Sequence, residues 1–260
     1  MNHAAHLGLT AASLAACLAL LWRYMRRGFG GLVRMRAAAQ SDARIAWYRR
    51  KAAEQWLVMV AAPLAALALS GHLALAFDPG AVVAPFAYAV WTHTGLTGDD
   101  FAFEFEWEPL LGLVALIVVL ELIPVLRRKG RSFMLGEVHS LLPRSLAEAR
   151  WTGLLALGAG IGEELLFRAL IPLGLATLGV SIVWGFLISC AIFAACHTYQ
   201  GWIGVVATGL LGLVLAAAYA TTYSLATAIV LHIVIDLMGL VVRPLVGLGL
   251  RRMSGKPHAD

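Results

Sequence analysis

The chain has 260 residues, of which 60% are hydrophobic and only 13% are charged. Soluble domains are usually about 45–50% apolar and about 25% charged, so this composition excludes an ordinary soluble domain and indicates an integral membrane protein. The formal charge of +5 does not indicate a nucleic-acid partner, because the basic residues stand beside apolar runs, where such clusters set topology and meet membrane lipid.

Seven apolar runs are long enough to cross a membrane as helices, which takes about 20 residues each. They are residues 5–22, 55–77, 109–126, 151–178, 181–197, 202–222 and 225–250. The sequence therefore predicts an all-α polytopic transmembrane helix bundle of about seven to eight helices. A shorter apolar piece, residues 81–91, predicts a re-entrant or interfacial segment that does not span. The three cysteines, Cys17, Cys190 and Cys196, lie in apolar runs and predict no disulfide framework.

The segments between the runs differ in charge. The first, residues 23–51, carries nine Arg or Lys, and the third, 127–150, carries six more. The second, 78–108, has six acidic residues and no Lys or Arg. The positive-inside rule therefore places the first and third loops and the C-terminus in the cytoplasm and the N-terminus outside.

Two loop segments have recognisable patterns. Residues 98–109, GDDFAFEFEWEP, alternate aromatic and acidic residues and predict a strand-like or interfacial loop. Residues 141–151 predict an amphipathic helix on the inner membrane surface, with Ser145 as its N-cap and Glu148 three residues later.

Ionisable residues inside membrane spans are rare and mark functional sites by default. In this chain they are Glu163, Glu164 and Arg168 in span four, His197 at the end of span five, and His232 and Asp236 in span seven. Glu121 and His72 are isolated examples. We expect His72 to make a helix–helix hydrogen bond, and Glu121 to reach the interface or pair with Arg127 or Arg128.

Helix geometry predicts which of these groups meet, because residues four apart share a face. Glu164 and Arg168 are expected to form an ion pair, and His232 and Asp236 to present one polar patch. Phe193 and His197 also share a face. Glu163 is left without a counter-ion on its own helix.

Four such polar groups, Glu163, His197, His232 and Asp236, would be costly unless they met in one hydrated intramembrane cavity. Two hydrolytic chemistries suit that cavity. In one, Glu163 and His197 activate a water and His232 with Asp236 donates to the oxyanion. In the other, some of the four side chains bind a divalent metal such as zinc. A proton or ion relay uses the same residue types.

The motifs EELLFR (163–168), FAACH (193–197) and HIVID (232–236) have the forms EExxxR, FxxxH and HxxxN/D. In that order on late membrane helices, they resemble the CPBP intramembrane protease family, which includes the type II CAAX prenyl endopeptidases. The resemblance covers residues 146–246. It implies an N-terminal region of membrane helices and loops at 1–140, a protease core at 141–250 and a cytoplasmic tail at 251–260.

The resemblance implies hydrolysis of a peptide bond in a membrane-associated protein or peptide. Glu163 and His197 would activate the water, His232 and Asp236 would form the oxyanion site, and Glu164, Arg168 and Phe193 would support it. The third motif ends in Asp where the family often has Asn, and an ionised Asp would repel an oxyanion. Family members are described both as metalloproteases and as metal-independent, and we expect no obligatory metal.

Two alternatives to the protease stay open on the sequence, a non-catalytic immunity or peptide-binding protein and, less favoured, a small-solute transporter. The composition is typical of a bacterial cytoplasmic-membrane protein.

One geometric difficulty accompanies the protease hypothesis. Counted from the inner end of span four, Glu163 lies about 18 Å deep, whereas His197 lies near the inner end of span five. The two meet only if a helix breaks, tilts or begins elsewhere.

Overall fold

A computed structural model describes residues 2–37, 41–94, 107–127 and 141–253, and these residues form helices and no strand. Five of the helices are long and apolar enough to cross a membrane: His3–Gly28, Ser41–Leu69, Leu110–Arg127, Thr198–Thr222 and Leu225–Leu250. The remaining two predicted spans are 151–178, which carries the three charged residues Glu163, Glu164 and Arg168, and 181–197, which corresponds to a shorter apolar helix, Ile182–Cys196. The predicted all-α membrane bundle is confirmed.

The first two spans are longer as helices than their apolar runs. Helix α1 covers His3–Ala37, and α2 (Ser41–Gln55) continues through a π-helical segment, Trp56–Ala61, into α3 (Ala62–Leu69). The basic residues predicted to form a loop between them therefore lie largely on helices, and that prediction was wrong. An apolar run marks the part of a helix that lies in hydrocarbon, and Arg and Lys, which favour helices, extend it beyond.

The second span ends at Leu69 and not at residue 77. A turn at residues 70–72 leads into α4 (Leu73–Phe77) and, after a 3-10 turn at Gly80–Val82, into α5 (Ala84–Thr94). Helix α5 holds most of the apolar piece that was predicted not to span, and its 11 residues are too few to cross a bilayer.

His72 lies buried in this turn, where its Nε2 is 2.7 Å from the Thr177 hydroxyl and its Nδ1 is 2.8 Å from the Ser70 hydroxyl. The predicted helix–helix hydrogen bond is thereby confirmed. Burial lowers the pKa of the His72 imidazole, with a smaller contribution from His6, so the neutral ring is the form that fits the turn.

Helix α6 covers Trp107–Arg127, so the predicted loop at 98–109 is helical from Trp107 onward, and residues 98–106 lie outside the described residues. Glu121 forms an ion pair with Arg243. The predicted partners were therefore wrong: Arg127 lies on the same helix, Arg128 is outside the described residues, and the observed partner comes from a distant part of the chain.

Span four is one continuous helix made of α7 (Leu146–Glu164), a π-helical segment, Leu165–Leu170, and α8 (Ile171–Thr177). The Ser145 hydroxyl accepts from the Glu148 N–H at 3.2 Å, which confirms the predicted N-cap. The separate surface helix predicted at 141–151 was wrong, because residues 146–151 are the first part of α7 and residues 141–145 precede that helix. Glu148 is buried against Arg44 of α2, with 3.1 Å between carboxylate and guanidinium nitrogen, and this pair holds the start of α7 inside the bundle.

The remaining helices are α9 (Ile182–Cys196), α10 (Gly201–Thr222), α11 (Leu225–Leu237), a π-helical segment at Met238–Val242, and α12 (Arg243–Met253). Helix α7 packs against α2 on one side and against α11 on the other, while α9 packs between α8 and α10. The charged end of α7 is therefore at the centre of the bundle. All three cysteines are free.

Candidate active site

Glu164 and Arg168 form the predicted ion pair across one helical turn, with 3.1 Å between Arg168 Nε and Glu164 Oε2. Both side chains are fully buried. The same guanidinium donates to the Gly212 carbonyl oxygen at 3.1 Å and lies 4.5 Å from the ring centre of Phe193. The Arg168 side chain thus ties α9 and α10 to the π-helical segment that follows α7.

The second oxygen of Glu164 has a partner that the sequence did not predict. It lies 2.6 Å from Nδ1 of His232 on α11. A carboxylate only accepts, so Nδ1 carries the proton in this hydrogen bond, and the other ring nitrogen, Nε2, is left to face the cavity. This nitrogen lies 3.9 Å from Glu163 Oε2 and 3.8 Å from Asp236 Oδ2. His232 and Asp236 therefore present one polar patch, as predicted.

His197 is held from the end of α9. It is the C-cap residue of that helix, and its Nδ1 is 2.8 Å from the Phe193 carbonyl oxygen, so Nδ1–H donates and Nε2 remains available. The Phe193 ring centre lies 4.7 Å from the His197 ring and 6.2 Å from the His232 ring. Phe193 and His197 share a face, as predicted, and Phe193 packs against both imidazoles.

The geometric difficulty with depth is resolved by the length of α9. From Thr177 back to Glu163 is 14 residues, and from Ile182 forward to Cys196 is also 14 residues, about 21 Å along each helix. Counted from the turn that joins α8 to α9, the two side chains are therefore level. Counting from the opposite end failed, because α9 has only 15 residues, whereas the helix that carries Glu163 begins at Leu146.

All four candidate residues line one cavity of about 590 Å³. The cavity is also lined by polar residues that sequence reasoning missed: Tyr24, Lys51 and Gln55 from the first two helices, and Tyr199 and Gln200 from the turn after α9. On α2, every fourth residue from Trp47 to Met59 faces the cavity. The sequence held two signals for these cavity residues. Polar residues on α2 recur at i, i+4 spacing, and Tyr199 lies two residues after His197.

The structure distinguishes Glu163 from Glu164. Glu164 is fully buried and engaged by Arg168 and His232, whereas 16% of the Glu163 side chain is exposed, at the cavity. Among the described residues, Glu163 Oε2 has no hydrogen-bond partner. Glu164 Oε2 likewise makes no hydrogen bond but is paired with Arg168, so the two glutamates differ in that Glu163 faces the cavity.

A resident metal ion does not fit this arrangement. In the part of the chain that the structure describes, no three His, Cys, Asp or Glu side chains converge closely enough to hold a metal ion. We therefore derive no step through a metal ion.

The fold and this cavity define an integral membrane protein whose buried polar site is assembled from the ends of α7, α9 and α11. Residues 145–238, which contain the whole site, match the family described as Type II CAAX prenyl endopeptidase Rce1-like. The resemblance inferred from the three motifs is confirmed: residues 145–238 are similar to the Rce1-like family. No curated protein and no solved structure shows a significant match.

Proposed function

We propose that this protein is an intramembrane endopeptidase that hydrolyses a peptide bond of a membrane-associated protein or peptide by means of a water activated by Glu163 and His197. One observation carries the proposal. Within the Rce1-like segment, Glu163 presents a buried oxygen without a described hydrogen-bond partner to a cavity that also holds His197, His232 and Asp236.

The reaction can be written with these residues alone. Glu163 takes a proton from a water that His197 Nε2 orients, and the water oxygen attacks the scissile carbonyl carbon. A negative charge develops on the carbonyl oxygen, and His232 donates to it through Nε2. The proton held by Glu163 passes to the amide nitrogen, the C–N bond breaks, and the products are a carboxylic acid and an amine.

Asp236 has a different part in this proposal from that of an asparagine. Its carboxyl oxygen lies 3.8 Å from His232 Nε2. A carboxyl group there favours the protonated imidazole, which can donate from both nitrogens, to Glu164 and to the oxyanion. Asp236 is therefore a positioning residue for His232 and not itself an oxyanion donor.

The test compares cells that produce the wild-type chain with cells that produce Glu163→Gln, which keeps the shape of the side chain and removes the base. We expect new peptide termini in the membrane proteome with the wild type and none with the variant. The control is Glu108→Gln, at an exposed residue of α6 outside the cavity, which should behave as wild type. Unchanged size-exclusion and thermal unfolding profiles would show that the variants fold.

The alternative, a non-catalytic immunity or peptide-binding protein, gives the opposite result, with no difference in peptide termini and retained binding in Glu163→Gln. Cleavage that persists in that variant would also contradict the proposal.

Metal dependence is tested on the purified protein by elemental analysis and by assay with a chelator. We expect no stoichiometric metal and no inhibition by the chelator. Loss of cleavage with the chelator that added zinc reverses would refute the metal-independent mechanism.

A further inference from the structure

Tyr199 lies beside the proposed catalytic residues in a position that none of the three motifs includes. It is part of the turn Thr198–Gln200, and its ring centre lies 5.9 Å from that of His197. It lines the same cavity as Glu163 and Asp236. The ring packs against the cluster of Trp47 and Tyr48, so α2 helps to hold its orientation.

The hydroxyl of Tyr199 is oriented by its chain neighbour. Gln200 Nε2 donates to the Tyr199 oxygen at 3.1 Å, so the lone pairs of the phenol are engaged. No acceptor for the phenolic proton is found among the described residues. A hydroxyl that accepts one hydrogen bond becomes a better donor, because successive hydrogen bonds polarise one another.

The position of Gln200 depends on Gly204, one turn further along the chain. A Cβ atom at Gly204 would collide with the Gln200 Cβ and would lie 2.9 Å from its side-chain oxygen. The absence of a side chain at residue 204 thus lets Gln200 fold back over the first turn of α10. Gly204, Gln200 and Tyr199 form a connected arrangement that ends in a donor at the cavity.

The proposed hydrolysis needs such a donor. Oxyanion sites of hydrolases commonly use more than one hydrogen-bond donor, and each contributes a large part of the rate. Here Nδ1 of His232 is already engaged by Glu164, which leaves one donor, Nε2. An asparagine at residue 236 would supply a second hydrogen-bond donor through its neutral amide. The carboxylate of Asp236 supplies none and repels the negative charge that develops on the oxyanion.

We infer that Tyr199 is a further catalytic residue whose hydroxyl donates to the carbonyl oxygen of the scissile bond and stabilises the oxyanion, with Gln200 as its positioning residue. This inference rests on the proposed peptidase function. The phenol keeps its proton throughout, so the step changes no bond in Tyr199. The donor replaces the one that the Asp at residue 236 cannot supply.

Tyr24 is the rival for this role, since it lines the same cavity. The amino group of Lys51, however, lies 3.2 Å from the centre of its ring, so its aromatic face is occupied by a cation. Tyr219 is a suitable control on α10. Its hydroxyl donates to the Ala76 carbonyl oxygen at 3.1 Å, away from the cavity.

The experiment uses the full-length protein and a synthetic peptide that spans the most abundant terminus dependent on Glu163. Tyr199→Phe should lower kcat roughly 100-fold with little change in KM, because the hydrogen bond strengthens only in the transition state. Gln200→Ala should lower kcat less, roughly 10-fold, and should have no effect when Tyr199 is already Phe. Tyr24→Phe and Tyr219→Phe should keep kcat within a few-fold of the wild type.

The outcomes separate the two proposals. If Glu163→Gln is inactive while Tyr199→Phe keeps the wild-type kcat, the role of Tyr199 is refuted and the peptidase stands. A larger loss in Tyr24→Phe than in Tyr199→Phe would assign the donor to Tyr24 and overturn the inference. A Gln200→Ala effect that persists in the Tyr199→Phe background would show that Gln200 acts by another route. If no terminus depends on Glu163, both proposals fail together.

Discussion

Glu164 is the residue on which the arrangement of the site depends. One carboxylate oxygen forms an ion pair with Arg168 and the other is 2.6 Å from His232. It thereby neutralises a buried cation and fixes the ring orientation of an imidazole on another helix. Its neighbour Glu163 points into the cavity, because adjacent residues of a helix project about 100° apart. Two adjacent glutamates therefore have different surroundings: Glu164 is enclosed by its two partners, and Glu163 faces the cavity.

Replacing Glu164 by Gln should destabilise the protein, because it leaves the fully buried Arg168 without its counter-ion. The loss of one partner of a buried pair costs about 3–5 kcal/mol. Thermal unfolding of the purified protein in detergent measures it. The double variant Glu164→Gln, Arg168→Gln should lose less than the sum of the single variants, since the two side chains are coupled. Additive losses would show that the pair contributes nothing as a pair.

The sequence predicted this region unevenly. The ion pair followed from i, i+4 spacing, and the meeting of Glu163, His197, His232 and Asp236 followed from the cost of unpaired polar groups in hydrocarbon. The hydrogen bond from His232 to Glu164 did not follow, because their separation of 68 residues carries no periodic signal. Tyr199 was missed because a tyrosine at a helix end is ordinary in membrane proteins.

At the scale of elements, the π-helical segments were not predicted although the sequence contains a signal for them. Each one, Trp56–Ala61, Leu165–Leu170 and Met238–Val242, is followed two residues later by a proline: Pro63, Pro172 and Pro244 respectively. A proline inside a helix lacks an N–H and clashes with the carbonyl one turn earlier. The wider π turn accommodates that clash. One segment directly follows Glu164, and another begins two residues after Asp236.

Close approach of α7 and α11 brings Glu163 and His232 together, and Gly160 permits it. A Cβ there would collide with the Ile233 side chain and would lie 2.8 Å from the Ile233 backbone nitrogen. Gly160→Ala should therefore separate the two helices, lower stability by about 1–3 kcal/mol, and reduce peptide cleavage. Thermal unfolding and the cleavage assay measure the two effects.

Gly153 provides the matched control on the same helix. A Cβ at this position would lie 3.8 Å from the Val241 side chain, which is an ordinary contact. Gly153→Ala should keep the cleavage rate and raise stability by about 0.5–1 kcal/mol, as expected for Ala over Gly in a helix interior. Equal losses from the two substitutions would contradict the assignment of close packing to Gly160.

For the molecule as a whole, composition and apolar runs were sufficient to predict a membrane bundle, while helix ends were not predictable from hydrophobicity. Arg44 illustrates why. It stands among basic residues that indicated a solvent-exposed loop, yet it is buried against Glu148 and within 2.8 Å of the Tyr48 hydroxyl. A partner 104 residues away decides its environment, and only the folded chain brings that partner close.

The orientation in the membrane remains a proposal, and the helix order makes it testable. Between Asp78 and Met253 lie α5, α6, the helix of α7 and α8, α9, α10 and the helix of α11 and α12. Helix α5, with 11 residues, reaches only about 16 Å and cannot cross about 30 Å of hydrocarbon. Among the described helices five crossings remain when α9 is counted as one, so the two positions should lie on opposite sides, and the positive-inside rule places Met253 in the cytoplasm.

Cysteine labelling checks this arrangement in a chain whose Cys17, Cys190 and Cys196 are replaced by alanine. A membrane-impermeant maleimide should label Asp78→Cys in intact cells, because Asp78 is exposed and expected outside. It should label Met253→Cys, also at an exposed position, only after the cells are permeabilised. The reversed pattern would invert the topology. Labelling of both from the same side would require an even number of crossings, so that α5 spans the membrane or α9 fails to cross it.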